Sequence, residues 1–402
     1  MARRLTLDFF KTEAASGLFL AIAALSALVL ANSPWADAYF GILKTDIPVR
    51  IGAWSLTENV SEWIKEGLMA IFFFVVGLEI KYEILRGELS NPKKLALPVL
   101  AAVGGMVGPA LVYLGVTGAL GGDPRGWSIP VATDIAFAVA AFALVASSLP
   151  ASLRVFLLTL AIVDDLGAVA IIAAVYSDGV TLPPLLGAGV VLAALALIGR
   201  FQLSFVWWVL GFLLVWGFAM EAHISTSLAG VATALVVPIN APKPGVEGPL
   251  KNFMETLHPW VAYFILPLFA FSAAGFSFAG LSPLALFSPV ALGIALGLFL
   301  GKQIGVMGLA WLACRLKLGV LPSNARWSEM YGVSLLCGVG FTMSLFLGAL
   351  AFPGAPVEIE TEVKLGVIAG SLLSGLVGML VLSRAAAWRK RCREDDAVLD
   401  AA

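Results

Sequence analysis

The sequence predicts an all-α polytopic membrane protein with about twelve transmembrane helices. Its spans 3–5 and 10–12 form inverted repeats with two broken, crossing helices. Three observations predict this. Hydrophobic residues make up 60% and charged residues 13% of the 402-residue chain, against roughly 45–50% and 25% in soluble domains. The apolar residues fall in runs close to the ~20 residues that a bilayer-spanning helix needs. Lysines and arginines collect in alternate connecting segments, as they do in cytoplasmic loops. With a formal net charge of −1, nothing in the charge balance suggests nucleic acid or an acidic partner. Cys314, Cys337 and Cys392 have no metal-ligand spacing and make no disulfide framework.

In order, the apolar run Gly17–Ala31 follows Arg3 and Arg4 and precedes Trp35-Ala36-Asp37-Ala38, which imitates a signal peptide and its cleavage site. Asp8 and Glu13 spoil the basic leader, so the run reads as a retained first helix. The alternation from Ile47 to Trp54 reads as a short extracytoplasmic hairpin near 45–54. A second span runs from about Asn59 to Lys81. It holds Glu66, read as reaching extracytoplasmic water by itself, and Glu79, Lys81, Glu83 and Arg86 crowd its far end. The third, about Leu95 to Val116, carries Gly104, Gly105 and Gly108, which permit close helix packing. The fourth contains Ser128 to Phe137; the fifth, about Leu153 to Tyr176, contains Asp164 and Asp165. Further spans fit near 182–199, 204–220, 223–237, 257–275, 289–314, 327–350 and 363–383. Residues 1–384 therefore read as a single transmembrane domain and 385–402 as a cytoplasmic tail.

An even span count puts both termini on one side. That side collects Arg86, Lys93, Lys94, Arg154, Arg200, Lys243, Arg315, Lys317 and Arg326, together with the tail residues Arg384, Arg389, Lys390, Arg391 and Arg393. The other side has little beyond Lys44, Arg50, Lys65, Arg125 and Lys364, so both termini are expected in the cytoplasm.

The polar interruptions carry the chemistry. Pro130, Thr133 and Asp134 break the fourth span, Asp164 and Asp165 the fifth, and Gly338 and Gly340 the eleventh, while Lys302 lies inside the tenth. Ionisable groups at such depth are costly and face a cavity or a partner. Paired interruptions in inverted halves point to a transporter's midplane site. Each broken helix leaves a positive N-terminal end and a negative C-terminal end there. Asp134 can offset the positive ends and Lys302 the negative ones. Asp164 and Asp165 then become the substrate pair, about 100° apart on their helix, one meeting Lys302 and the other facing the cavity. Carboxylates in a dehydrated pocket hold either a hard cation or a proton. Competition for one site gives exchange.

Five motifs have a family resemblance. Ala132-Thr133-Asp134-Ile135-Ala136-Phe137, Ala161 to Ala168 around Asp164-Asp165, Phe74 to Glu79, His258 to Tyr263 and Cys337 to Ser344 together resemble the NhaA sodium–proton antiporters, from about Phe10 to Arg384. That family is itself an example behind the inverted-repeat rule, so the symmetry and the resemblance are not independent. The resemblance implies a secondary transporter, not an enzyme, without cofactors, in a bacterial inner membrane. It would expel Na⁺ or Li⁺ electrogenically against entering H⁺. It makes Asp165 the main Na⁺ and proton carboxylate, Thr133 an oxygen ligand at the crossing beside Asp134, and Asp164 the partner of Lys302. It implies a homodimer contact through the hairpin, and it places Glu79, Glu83, Glu255 and His258 in a pH-sensing cluster. There the chain departs from the pattern: Tyr82 stands where close family members have Arg, Met254-Glu255 where they have Glu-His, and Ser225 where they have His.

Two other classes stay open on the residues alone. Paired intramembrane aspartates serve aspartyl proteases, but neither acid here has the Gly-x-Gly-Asp signature, and Lys302 has no part in that chemistry. A symporter of organic anions would not need an Asp pair with a buried Lys. Proton flux on adding Na⁺, an organic anion or a peptide reporter separates the three.

Overall fold

In hydrocarbon every backbone N–H needs a partner within its own segment, which makes the helix the default for these apolar runs. The computed structural model describes residues 2–51, 54–87, 92–146, 148–177, 179–201, 204–240, 248–279 and 283–400. Helix α1 (Ala2–Ala31) is followed by a short α2 (Ala36–Leu43), turned by 116° from it, and by strands β1 (Asp46–Ile51) and β2 (Trp54–Asn59). The strands pair antiparallel, with Asp46 opposite Asn59 and Ile51 opposite Trp54. A single turn α3 (Val60–Glu62) and a π-helical turn Trp63–Leu68 lead into α4 (Met69–Arg86). Then come α5 (Pro92–Leu120), a 3₁₀ segment Pro124–Val131, α6 (Ile135–Val145) and α7 (Ala151–Val175). The series continues with α8 (Leu182–Ile198), α9 (Phe205–Glu221), α10 (Thr226–Val236), α11 (Pro249–Trp260) and α12 (Leu266–Ala274). It ends with α13 (Pro289–Leu296), α14 (Lys302–Arg315), α15 (Trp327–Leu336), α16 (Phe341–Ala351) and α17 (Val357–Asp400).

The molecule is a polytopic all-α membrane protein. By length and composition, five described stretches can cross a bilayer as continuous helices: Leu95–Leu120, Ala151–Val175, Pro249–Ala274, Pro289–Arg315 and Val357–Cys392. The fourth and eleventh spans of the sequence reading are bent pairs. Pro124–Val131 meets α6 at 41°, and α15 meets α16 at 47°. The first half of the fourth span is 3₁₀ rather than α, with Pro124 at its start, Gly126 within it and Pro130 near its end. A proline ring removes an N–H donor and fixes φ, which disfavours a longer α-helix there.

Backbone contacts divide the chain into two compact units. One comprises residues 1–19, 91–165 and 280–402. In it α5 approaches α14 and the π turn Gly297–Gly301 before it through glycines: a Cβ at Gly104 would strike the Gly305 carbonyl, and one at Gly108 the Gly301 carbonyl. Small residues in register let two backbones touch where lipid offers no competing hydrophobic gain. The core around them includes Phe142, Leu157, Leu160, Val306, Met330 and Leu336. Helix α17 has 44 residues, about 66 Å at 1.5 Å per residue, so it outruns a ~30 Å hydrocarbon layer. The stretch read from sequence as a tail from 385 onward continues this helix to Asp400. It is anchored there: Arg389 binds the buried Glu329 with two nitrogens and also donates to the Asn324 carbonyl. The Arg326 guanidinium lies 3.7 Å from the Trp388 ring centre.

The other unit comprises residues 20–90 and 166–279. Its α4 lies against α10, where a Cβ on Gly230 would strike the Ala70 carbonyl. Lys81 Nζ donates to the Leu235 and Val237 carbonyls at 2.6 Å each, closing the C-terminal end of α10. Glu66 does not stand by itself as the sequence reading has it. Thr226 Oγ1 donates to its carboxylate at 2.7 Å, Trp216 Nε1 donates to its carbonyl at 2.8 Å, and Lys65 Nζ lies 3.7 Å away. A π turn shifts the register of its carbonyls, and at Trp63–Leu68 the Trp216 indole of α9 takes up the Glu66 carbonyl, with the Thr226 hydroxyl as an alternative donor to it or to the carboxylate.

Candidate functional site

The crossing in the first unit is built from two chain breaks. Ala132 and Asp134 are extended, and the Asp134 N–H donates to the Val339 carbonyl at 2.7 Å. Ser344 Oγ donates to the Ile129 carbonyl at 2.7 Å, tying the start of α16 to the end of the 3₁₀ segment. These are hydrogen bonds between two irregular stretches, each supplying what the other's interruption left unpaired.

Asp134 sits where two positive helix ends converge. Its Oδ1 accepts the Phe137 N–H at 3.1 Å, capping its own helix α6. Its Oδ2 accepts the Thr342 N–H at 3.0 Å and the Thr342 hydroxyl, capping α16 from the partner span. One carboxylate thus serves both N-termini, where a negative group is favoured. It is 2% exposed, so charge and dipole interact with little screening.

One residue earlier, Thr133 joins the crossing to the acids. Its hydroxyl lies 2.6 Å from Asp164 Oδ2 and 2.8 Å from the Cys337 carbonyl. A hydroxyl has one hydrogen, so these two bonds are alternatives. The same oxygen accepts from Lys302 Nζ at 3.0 Å. Lys302 Nζ reaches Asp164 Oδ2 at 2.5 Å, with both side chains fully buried. Lys302 therefore meets the negative end of α15 through Thr133. Asp164 Oδ1 is buried with no hydrogen-bond partner among the described residues. Asp165, its neighbour on α7, is 4% exposed. A π turn at Gly297–Gly301 immediately precedes Lys302, and a Cβ on Gly105 would lie 3.7 Å from its ammonium. That is ordinary van der Waals contact, and the closer neighbour of position 105 is a Val306 methyl at 3.0 Å.

Pro130, Gly338 and Gly340, expected at the breaks, lie at them. Pro130 fills the space beside Gly297, Gly338 approaches the Leu298 carbonyl, and Gly340 precedes α16. Thr342, Ser344 and Ser371 join the network without having been singled out. Each is a small hydroxyl in an apolar helix, a pattern that also fits a residue bonded to its own backbone.

The residues read as pH-sensing belong to the other unit. His258 Nδ1 and Glu79 Oε1 are 3.4 Å apart, both partly buried. Glu255 pairs with Lys251 at 3.4 Å, one turn apart on α11. Glu83 lies on the last turns of α4, with its carboxylate over Gly87.

Comparison with known proteins adds an independent line. Residues 7–382 match the family described as Na⁺/H⁺ antiporter 1. A Na⁺/H⁺ antiporter NhaA 2 of Pseudomonas savastanoi pv. phaseolicola is 49% identical over 378 residues, 94% of each chain. A Na⁺/H⁺ antiporter NhaA of Rhodospirillum rubrum is 48% identical over 382 residues, 93% of this chain and 96% of the relative. An NhaA 1 of Syntrophotalea carbinolica is 45% identical over 391 residues, 97% and 98% of the two chains.

Proposed function

Since the chain belongs to the Na⁺/H⁺ antiporter 1 family, we propose that it exchanges Na⁺, and Li⁺, for entering H⁺ across a bacterial inner membrane. It does so as a secondary transporter with both termini in the cytoplasm. The observation that carries this reading is the buried group Lys302–Thr133–Asp164, with Asp164 Oδ1 unpartnered among the described residues. A carboxylate with one oxygen held by an ammonium and the other left over suits a small hard cation, which takes oxygen ligands. Asp165 beside it supplies a second carboxylate, and Thr133 a neutral oxygen.

The same oxygens bind H⁺ or Na⁺ but not both, so occupancy by one expels the other. Binding more protons than the single charge of Na⁺ makes exchange electrogenic. Asp134 keeps the crossing neutral enough for a cation to approach, since it offsets two positive helix ends. Alternating access then moves the crossing as a hinge around the site. The hairpin Asp46–Asn59 serves as the homodimer contact. With Tyr82, Met254-Glu255 and Ser225 in place of the family's Arg and His residues, the pH dependence comes chiefly from competition at the ion site rather than from Glu79, Glu83, Glu255 and His258.

Purified protein in proteoliposomes tests this. Adding Na⁺ outside should drive measurable proton movement in wild type and none in Asp165→Asn. Na⁺-driven proton flux in a folded Asp165→Asn variant, or none in wild type, refutes the reading.

A further inference from the structure

Helix α16 starts in the interior with Gly340 as its N-cap, a residue without a side chain to accept a hydrogen bond. The first N–H groups of any helix lack partners in the helix itself, and buried ones must find them elsewhere. Gly340, Phe341 and Thr342 are all buried. The Thr342 N–H goes to Asp134, as described. The Gly340 and Phe341 N–H groups converge on one atom, Ser371 Oγ of α17, at 3.2 and 3.1 Å. Two donors fill the two lone pairs of a hydroxyl oxygen. Ser371 is 6% exposed. The two helix ends at the crossing therefore differ: α6 is capped by its own Asp134, whereas α16 imports both of its caps.

We propose that Ser371 is a positioning residue for ion exchange, acting through the N-terminus of α16 on Asp134 and Thr133. By accepting two N–H groups it leaves Asp134 to serve Phe137 and Thr342. Removing its hydroxyl leaves two buried donors beside a carboxylate already bonded to their neighbour Thr342. Asp134 is drawn toward them, and Thr133, joined to it by a single peptide, moves off Asp164 and Lys302. The unsatisfied N–H groups also add positive potential where a cation must bind. Both effects weaken Na⁺ binding while leaving the translocating helices intact. This rests on the antiport reading above.

The test measures the apparent KM for Na⁺ and the rate at saturating Na⁺ in proteoliposomes at one pH, for wild type, Ser371→Ala and Ser371→Thr. Loss of a helix cap is expected to raise KM about fivefold in Ser371→Ala, with the saturating rate within about twofold of wild type. Ser371→Thr, which keeps an oxygen at γ, should restore KM. A serine that merely stabilised α17 would lower the amount of folded protein and leave KM alone. An unchanged KM in Ser371→Ala, or a raised KM that Ser371→Thr shares, overturns the proposal. If wild type itself shows no Na⁺-driven flux, the antiport reading falls and this role falls with it. A normal wild type beside an unaffected Ser371→Ala removes only the role.

Discussion

Lys302→Met is the most revealing single change. The lysine and Asp164 are both fully buried, and the ammonium donates to Asp164 Oδ2 at 2.5 Å and to Thr133 Oγ1 at 3.0 Å. Methionine matches the stem but has no donor. Asp164 then keeps only one described donor, the Thr133 hydroxyl, which must abandon the Cys337 carbonyl to serve it. Breaking a buried pair from one side costs about 3–5 kcal/mol, because it strands the remaining charge. Midpoint shifts of about 2–4 °C per kcal/mol hold for chains of 150–250 residues. For this longer chain roughly half that applies, giving a fall of about 3–10 °C in detergent. The double variant Lys302→Met with Asp164→Leu removes both charges and should recover most of the loss, since apolar replacements of buried pairs are often neutral. Tryptophan fluorescence during heating reads both. A single variant as stable as wild type, or a double variant no better than the single, refutes the pairing as an energetic unit.

Four further outcomes follow. Thr342→Val removes a hydroxyl donor to Asp134 at nearly constant shape and should cost about 1.5–3 kcal/mol, the usual worth of a bond to a charged group; thermal unfolding measures it. Gly104→Ala should destabilise more than Gly105→Ala, because its Cβ meets the Gly305 backbone whereas at 105 the nearest atom is a Val306 methyl at 3.0 Å; paired melting curves decide. Glu329→Gln should loosen the end of α17 by weakening its bonds to Arg389, seen as faster amide exchange over residues 384–392. On the hairpin, burial and then the Glu62 and Glu66 charges raise the Glu58 carboxyl above its ordinary value. A raised acid favours folding in its protonated form, so its contribution is fully present below the unfolded pKa and lost as pH rises through the folded one. Glu58→Gln should therefore raise the melting point slightly at neutral pH and not near pH 3, by a fraction of a kcal/mol after solvent screening.

What could be read in advance depended on range. Pro130, Gly338 and Gly340 announce breaks because proline and glycine act on their own backbone. Asp134, Asp164, Asp165 and Lys302 announce themselves because charge in an apolar run needs a reason. Geometry alone left the lysine's partner as a choice between neighbours about 100° apart; the family resemblance named Asp164, and the fold pairs it with Lys302. The particular donors and acceptors at the start of α16, Thr342 to Asp134 and Phe341 to Ser371, were not legible, since each pair joins spans more than 200 or about 30 residues apart. The π turns at Trp63–Leu68, Val261–Ile265 and Gly297–Gly301 left no local signal either. Their displaced carbonyls depend on tertiary neighbours, as Trp216 and Thr226 provide for Glu66. Arg389 reads in the sequence only as a tail cation; its partner Glu329, 60 residues away, carries no signal of the pairing.

Competition between Na⁺ and H⁺ for the same buried carboxylates is the claim on which the rest depends. Its most direct measurement is the apparent KM for Na⁺ at a series of pH values in proteoliposomes, with the rate at saturating Na⁺ recorded alongside. Competition predicts a KM that climbs steadily as pH falls while the saturating rate stays level. A KM that stays constant while the saturating rate collapses at low pH would place the pH response outside the ion site and contradict the account.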